Sequence, residues 1–336
     1  MISLPAATCS LILALAAAVP GPLPQDGRLD RSRPLAGEGP TTVELAVHVL
    51  DVDDVDSANQ SFEANIFYEY RWQDPRLAHE GQSISLPLSS IWNPVIQIVN
   101  QQRLQFTLPD VAEVESNGEV RHQQRVWGSF SQPLALAEFP FDRQELTILM
   151  ICGRHTVDEV VLIQDDQVQS GIAEEFSLAD WVVLDHRIEQ DVFQAAPGDE
   201  SVHGYSLTIE LERRTGYYWL KIILPLVLIV CMSWVVFWID PTQSGTQISV
   251  AVTTMLTLIA YRFATDALLP RVSYLTRLDA FIMASTVLVF ASLAEVVWTA
   301  RLAESGQTER ARRVDRYARV VFPTLFAICF LKALVF

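Results

Sequence analysis

QISVAVTTMLTLIAYRFATDALLP, from Gln247 to Pro270, is the stretch whose reading decides the fold. At about 100° per residue, Ser249, Thr253, Leu256, Ala260, Phe263 and Ala267 fall within an arc of roughly 80°. Gly245 continues the stripe below it. Hydroxyls sit at one end of the stripe and apolar side chains towards the other. Small hydroxyl residues can replace part of an ion's water, and an apolar constriction can block ions by dewetting. The stretch therefore reads as a helix lining a water-filled hole, although Ser and Thr also serve to pack membrane helices together.

Working outward, the spans are expected at about 218–238, 247–267, 278–299 and 318–336, with a cytoplasmic loop over 300–317. Each is long enough at about 1.5 Å per residue to cross a hydrocarbon core near 30 Å. The link between the third and fourth spans carries Arg301, Arg310, Arg312, Arg313, Arg316 and Arg319. Positive charge marks the cytoplasmic side, so the N-terminal domain and the C-terminus are expected outside. Residues 1–214 carry a net −20 and residues 215–336 a net +4, together the −16 of the whole chain. An acidic outer domain excludes nucleic acid as a partner and concentrates cations near a pore mouth.

Residues 1–20 read as a secretory signal peptide and 21–40, rich in Pro, Gly and Arg, as a disordered lead-in. From 41 to 214 the chain alternates polar and apolar residues in short runs, as in Val43 to Leu50, Asn65 to Trp72, Glu145 to Ile151 and Tyr205 to Leu211. Period-two alternation between turn residues predicts an extracellular antiparallel β-sandwich of immunoglobulin-like kind. Residues 215–336 form the transmembrane domain as a four-helix bundle. Of four cysteines, only Cys152 falls in the outer domain once Cys9 leaves with the signal, so no disulfide framework holds it. His122, His155, His186 and His203 are scattered without metal-ligand spacing, and no phosphate or dinucleotide fingerprint occurs. No cofactor, metal or enzymatic activity is expected.

Six motifs then follow in order: Trp72-Gln73-Asp74-Pro75-Arg76-Leu77, Trp92-Asn93-Pro94, Phe139-Pro140-Phe141-Asp142, Glu212-Arg213-Arg214-Thr215-Gly216-Tyr217-Tyr218, Leu224-Pro225 and Leu269-Pro270-Arg271-Val272-Ser273-Tyr274. In this order they resemble the pentameric ligand-gated ion channels, the Cys-loop receptor superfamily, over residue 41 to the C-terminus. The family's paired cysteines would fall at Gln132 and Leu146, and the long cytoplasmic insert of animal receptors is missing. Both departures make the chain look most like the prokaryotic members.

The resemblance implies a homopentamer, each subunit joined by four identical ones, around the second span in a lipid bilayer. It implies a closed gate at Leu256, Ala260 and Phe263, permeant inorganic ions and a small-molecule agonist bound between subunits. That agonist site would lie under a hairpin from Phe193 to Tyr205 with its turn at Pro197-Gly198-Asp199, walled by Phe193, Tyr205, Phe67 and Glu69. Arg154 and His155 replace the aromatic of amine-binding relatives and favour an anionic ligand, and protons are an alternative agonist. Coupling between domains would run through Asp54, Asp56, Asp142 and Arg213 to Pro270 and Arg271. The inner mouth, Gly245-Thr246-Gln247, lacks the Glu of cation-conducting relatives. The absence of a basic ring and the acidic outer domain favour cations, with an anion-selective pore as the alternative. A non-conducting membrane sensor is the rival from another class.

Overall fold

The computed structural model describes residues 30–194, 200–266, 269–270 and 272–334. The expected signal peptide, the turn at Pro197 to Asp199, Ala267, Arg271 and the last two residues of the fourth span lie outside these. Alternating apolar residues build twelve strands in two layers. In chain order they are β1 (Thr41–Asp56), β2 (Ser61–Gln73), β3 (Ile84–Pro87), β4 (Ile96–Ile98), β5 (Gln101–Phe106), β6 (Val111–Val114), β7 (Glu119–Ser131), β8 (Arg143–Cys152), β9 (Val160–Gln164), β10 (Gly171–Ile172), β11 (Trp181–Phe193) and β12 (Val202–Arg213).

One sheet runs β10-β1-β2-β7-β6-β3, with β5 also on β7 and β9 on β1; the other runs β11-β12-β8-β4. The expected antiparallel pairing holds except at β1, whose outer edge takes both β9 and β10 in parallel register, Val43 opposite Leu162 and His48 opposite Gly171. Parallel pairing needs a long crossover, and here the chain crosses from the second sheet back to the first. Inward residues such as Val43, Leu45, Ile66, Val126, Ile148 and Leu207 are fully or almost fully buried, and Phe62 stacks on Phe130 at 5.1 Å. Each large side chain so buried contributes roughly 1.5–3 kcal/mol. At Gly128 a side chain would meet the Arg103 carbonyl oxygen at 1.9 Å, so the close approach of β5 to β7 requires glycine there.

Of the expected lead-in the structure describes residues 30–40, which are mostly exposed but tethered: Pro34 is buried, and Arg33 Nη1 donates to the carbonyls of Gly39 and Glu159 at 2.7 and 3.1 Å. Arginine supplies several donors at once, which organises an otherwise irregular segment.

Among the described residues four helices are long and apolar enough to cross a membrane. The first span, Gly216–Trp238, begins irregularly with a π turn over Trp219–Ile223 before Pro225, which has no N–H to give. Tyr261 of the second span donates to the Ile222 carbonyl at 2.6 Å and ties that span to this turn. The second span is Ser244–Asp266 and the third Arg277–Glu304, the latter started by a capping box between Thr276 and Asp279. The fourth span is Thr308–Leu334. It starts ten residues before its expected beginning, so the expected loop over 300–317 shrinks to residues 305–307. Gly306 makes that tight turn with φ +80°, the left-handed conformation suited to glycine, and its N–H returns to the Ala303 carbonyl.

In the outer domain Arg71 is clamped by three carboxylates: Asp165 at 2.6 Å, Glu44 at 2.8 Å and Glu119 at 3.3 Å. Burial opposes the charge on Asp165, but the Arg71 guanidinium and the Val168 and Gln167 amides outweigh it and hold the carboxyl below its ordinary value. A depressed carboxyl contributes stability that is present at neutral pH and lost as pH falls below about 4. We predict that Asp165→Asn, which leaves Arg71 with Glu44 and Glu119 but without its best-buried partner, costs about 1–3 kcal/mol. Thermal unfolding of the assembled protein should show a lower midpoint and a weaker acid limb; an unchanged midpoint would contradict the assignment.

Candidate functional site: the pore face and the domain junction

The second span is packed on one side and bare on the other. Gln247, Ala251, Thr254, Leu258 and Thr265 are buried against the rest of the bundle. Gly245, Ser249, Thr253, Leu256, Ala260 and Phe263 are all exposed in the subunit, Leu256 by 61% and Phe263 by 80%. The Thr253 and Thr257 hydroxyls donate to the carbonyls four residues back, leaving their lone pairs on the bare face. Arg262 is also exposed, at about 140° from the stripe, with Phe263 between it and the stripe's upper end. A face of small hydroxyls below large apolar side chains can form a polar lumen closed by a dry constriction once copies surround an axis.

At the other end of the spans, the β7–β8 loop rests on the membrane domain. Ala137 and Phe139 accept from the Arg277 and Leu278 amides at 3.0 and 3.2 Å, and Arg277 pairs with Glu138 at 2.9 Å. The Tyr274 hydroxyl accepts from the Leu136 amide at 3.0 Å, and Phe139 meets Tyr218 edge-on at 4.9 Å. The loop base lacks a disulfide but is closed otherwise. Gln132 accepts from the Thr147 amide at 2.8 Å and donates to the Glu145 carbonyl, bracketing Leu146.

Asp142 and Arg213 are the heart of the junction. Arg213 Nε and Nη2 donate to the two Asp142 carboxylate oxygens at 2.8 and 3.0 Å, and Gln144 donates to Asp142 at 2.7 Å. The guanidinium lies 4.1 Å from the centre of the Trp181 ring and 4.9 Å from that of Phe139. Both charged groups are buried, so their contact is strong and its loss leaves an unpaired ion.

The expected acidic partners are different. Asp56 spends its carboxylate on its own turn, accepting from the Ala58 and Asn59 amides at 2.9 Å, and the Asn59 amide above all holds its carboxyl below the ordinary value. It is Ser57 that reaches Arg213, at 3.2 Å. Asp51 binds Ser177 and Asp53 binds the Trp127 indole. Asp54, Asp56, Pro270 and Arg213 nonetheless line one acid-rich recess of about 470 Å³ beside Tyr218. The sequence points to Pro270 and Arg271 as the receivers and not to Ala137, Glu138 and Arg277. The only signal for them was their closeness to Phe139-Pro140-Phe141-Asp142.

The residues expected around a ligand are spread over two sheets. Phe193 lies half-buried at the end of β11, and Arg154 is exposed after β8. His155 accepts or donates at Glu159, 3.1 Å away, with its ring 5.5 Å from that of Trp92. Phe67 and Glu69 lie on the other sheet, on the face of β2 opposite the core, where Glu69 is covered and accepts from Gln123. Within one subunit these two groups do not meet. Tyr205 requires correction: it is fully buried, its hydroxyl bonded to that of Ser170, because it shares the inward face of β12 with Leu207, Ile209 and Leu211. Cys152 is also interior, and burial pushes its thiol up to about 12.

We predict that Asp142→Asn lowers the stability of the assembled protein by about 3–5 kcal/mol through the unpaired Arg213, and shifts the activation curve of whatever current it carries. Equal midpoints in thermal unfolding would contradict the buried-pair reading.

Comparison with known proteins agrees with this architecture. Residues 28–215 match the neurotransmitter-gated ion-channel ligand binding domain, and residues 222–310 match the neurotransmitter-gated ion-channel transmembrane region. The gamma-aminobutyric acid receptor subunit beta-4 of Gallus gallus is 26% identical over 276 residues, which cover 79% of this chain and 56% of that protein. The chain thus spans little more than half the length of this relative. With a sheet-built ligand-binding domain set on four membrane-crossing helices, the chain belongs to the neurotransmitter-gated, or Cys-loop, family of ion channels, which are not enzymes.

Proposed function

We propose that the chain is a subunit of a homopentameric ligand-gated channel that conducts cations. The observation that carries this reading is the second span, whose packed and bare faces divide along its length as a pore-lining helix requires. Copies turned so that Ser249, Thr253, Leu256, Ala260 and Phe263 meet on an axis would cover the bare face and place a dewetting ring at Leu256. Exposed hydroxyls at the inner mouth and an outer domain of net −20 over residues 1–214 support cation passage. The opposite selectivity keeps one specific point in its favour, namely that Gly245 and Thr246 place no acid at the inner mouth.

A small extracellular ligand, or protons, would act between subunits, where Phe193 and Arg154 of one sheet can approach Phe67 of a neighbour's other sheet. Movement of the outer domain would then pass through Asp142, Arg213 and the β7–β8 loop to Tyr274 and Arg277. The arginines of the inner link support an orientation with the N-terminal domain outside, and the missing long insert between the third and fourth spans supports a prokaryotic inner membrane.

Planar-bilayer recording in a sodium chloride gradient tests the function. We predict a reversal potential towards that of sodium; one at the chloride value would assign an anion pore, and silence under all ligands and pH values would favour a non-conducting sensor. Leu256→Ser should leak without agonist, because a hydroxyl ring removes much of the dehydration barrier. An unchanged resting conductance in Leu256→Ser would remove the gate from that residue.

A further inference from the structure

One polar cluster in the membrane domain serves neither the pore face nor the junction. Near the cytoplasmic end, Glu295 of the third span faces Asp315 of the fourth, and Asp315 also faces Gln247 of the second. Asp315 is 1% exposed and Gln247 has no exposed surface. Glu295 is half-buried as a residue and stands beside the buried Ser292, Val296 and Thr299 of its helix, with its carboxylate turned inside. All four carboxylate oxygens are buried and meet no hydrogen-bond donor, and the same holds for Gln247 Oε1. The orientation of that amide is fixed, since its Nε2 donates to the Val236 and Ile239 carbonyls at 3.2 and 2.9 Å.

Five buried acceptor oxygens on three packed helices therefore have nothing to accept from. Buried acceptors and paired like charges are stable only if a donor or a cation stands between them. The charged neighbours supply no hydrogen bond, although the Arg319 charge favours the Asp315 anion. Arg319, one turn beyond Asp315, gives its Nε–H to the Phe237 carbonyl at 2.9 Å and lies over the Trp238 ring. Asp240, below the cluster, is itself paired with Arg312 at 2.9 Å and adds only negative potential at Asp315. The inner end of the first span contributes Val236 and Phe237, which do not titrate. Among the described residues neither acid forms an ion pair. Two carboxylates and one amide oxygen also fall short of the six to eight oxygens that calcium takes.

We infer that Glu295 and Asp315 form a proton-binding site whose protons complete a hydrogen-bond relay from the third span, through the fourth, to Gln247 at the foot of the pore helix. One proton taken from solution onto a Glu295 oxygen gives an O–H that donates to Asp315. A second on Asp315 gives an O–H that donates to Gln247 Oε1. Both acids become neutral, every member of the relay gains a partner, and release returns the protons to solvent. Gln247 lies between Gly245 and Ser249 in sequence but on the packed face of the helix, so loss of the relay loosens the inner mouth from behind. The effect on current rests on the channel reading; the proton site does not.

The test uses the full-length assembly in lipid nanodiscs, wild type against E295Q/D315N, whose amides keep the shape and remove the titration. Thermal unfolding is followed from about pH 5 to about pH 9 in metal-free buffer and again with calcium chloride. The wild type should lose thermal stability as pH rises, because deprotonation leaves two anions facing each other, and E295Q/D315N should lose that alkaline fall. Should the double variant fail to assemble, infrared spectra of the wild type and E295Q alone serve instead. A carboxylic C=O band should disappear with rising pH in the wild type and be diminished in E295Q. An alkaline fall of equal size in E295Q/D315N, identical infrared bands, or a midpoint raised by calcium at constant pH would overturn the proposal. In bilayers, inner-side acidification should alter open probability in the wild type and not in the double variant. Silence of both would count against the channel reading and leave the melting result standing.

Discussion

The structure turns on an unmet requirement of the second span. Its back is committed to the bundle by Gln247, Ala251, Thr254 and Leu258, while its front presents hydroxyls and a bare Leu256 and Phe263 with no partner inside the subunit. Lipid would suit Leu256 and Phe263 but not the hydroxyl half of the same stripe. A shared axis, polar at one end and dry at the other, would suit the whole face. The remaining spans are arranged around it: the first anchors the second through Tyr261 on the Ile222 carbonyl, the third packs behind it, and the fourth closes the outside of the bundle.

A second constraint fixes how the outer domain is attached. The buried Asp142–Arg213 pair sits where β8 begins and β12 ends, one step before the first span. Its environment of Trp181 and Phe139 keeps water away, so small displacements of either strand change a strong interaction. The same loop reaches forward to the Arg277 and Leu278 amides, at the start of the third span. Ligand-domain sheet and membrane helix are thus joined through one short segment, which makes the loop between Gln132 and Asp142 the natural place for a bistable contact.

Much of this was legible in the sequence, for identifiable reasons. A helix period of 3.6 and a strand period of two are local properties, so the bare stripe of the second span and strands β1, β2, β8 and β12 could be read directly. The same rule places Tyr205 inside, two, four and six residues before Leu207, Ile209 and Leu211, and applying it would have removed that residue from the ligand wall. The fourth span was placed late because Thr308 to Arg319 is crowded with charge, which hides a helix from a hydropathy reading. Long-range pairings left no such trace. Arg71 and Asp165 lie 94 residues apart, Glu295 and Asp315 belong to different helices, and the parallel edge of β1 depends on segments more than 110 residues away. Nothing local distinguishes such groups from solvated charge or ordinary loop.

Reactivity along the second span measures the central claim most directly. In a background without reactive cysteines, single cysteines at Ser249, Thr253, Thr254, Leu256, Leu258 and Ala260 would be exposed to a charged thiol reagent while current is recorded. The account predicts block at Ser249, Thr253, Leu256 and Ala260 and none at Thr254 and Leu258, following the bare face of the helix. Block without helical periodicity, or confined to the packed face, would contradict it.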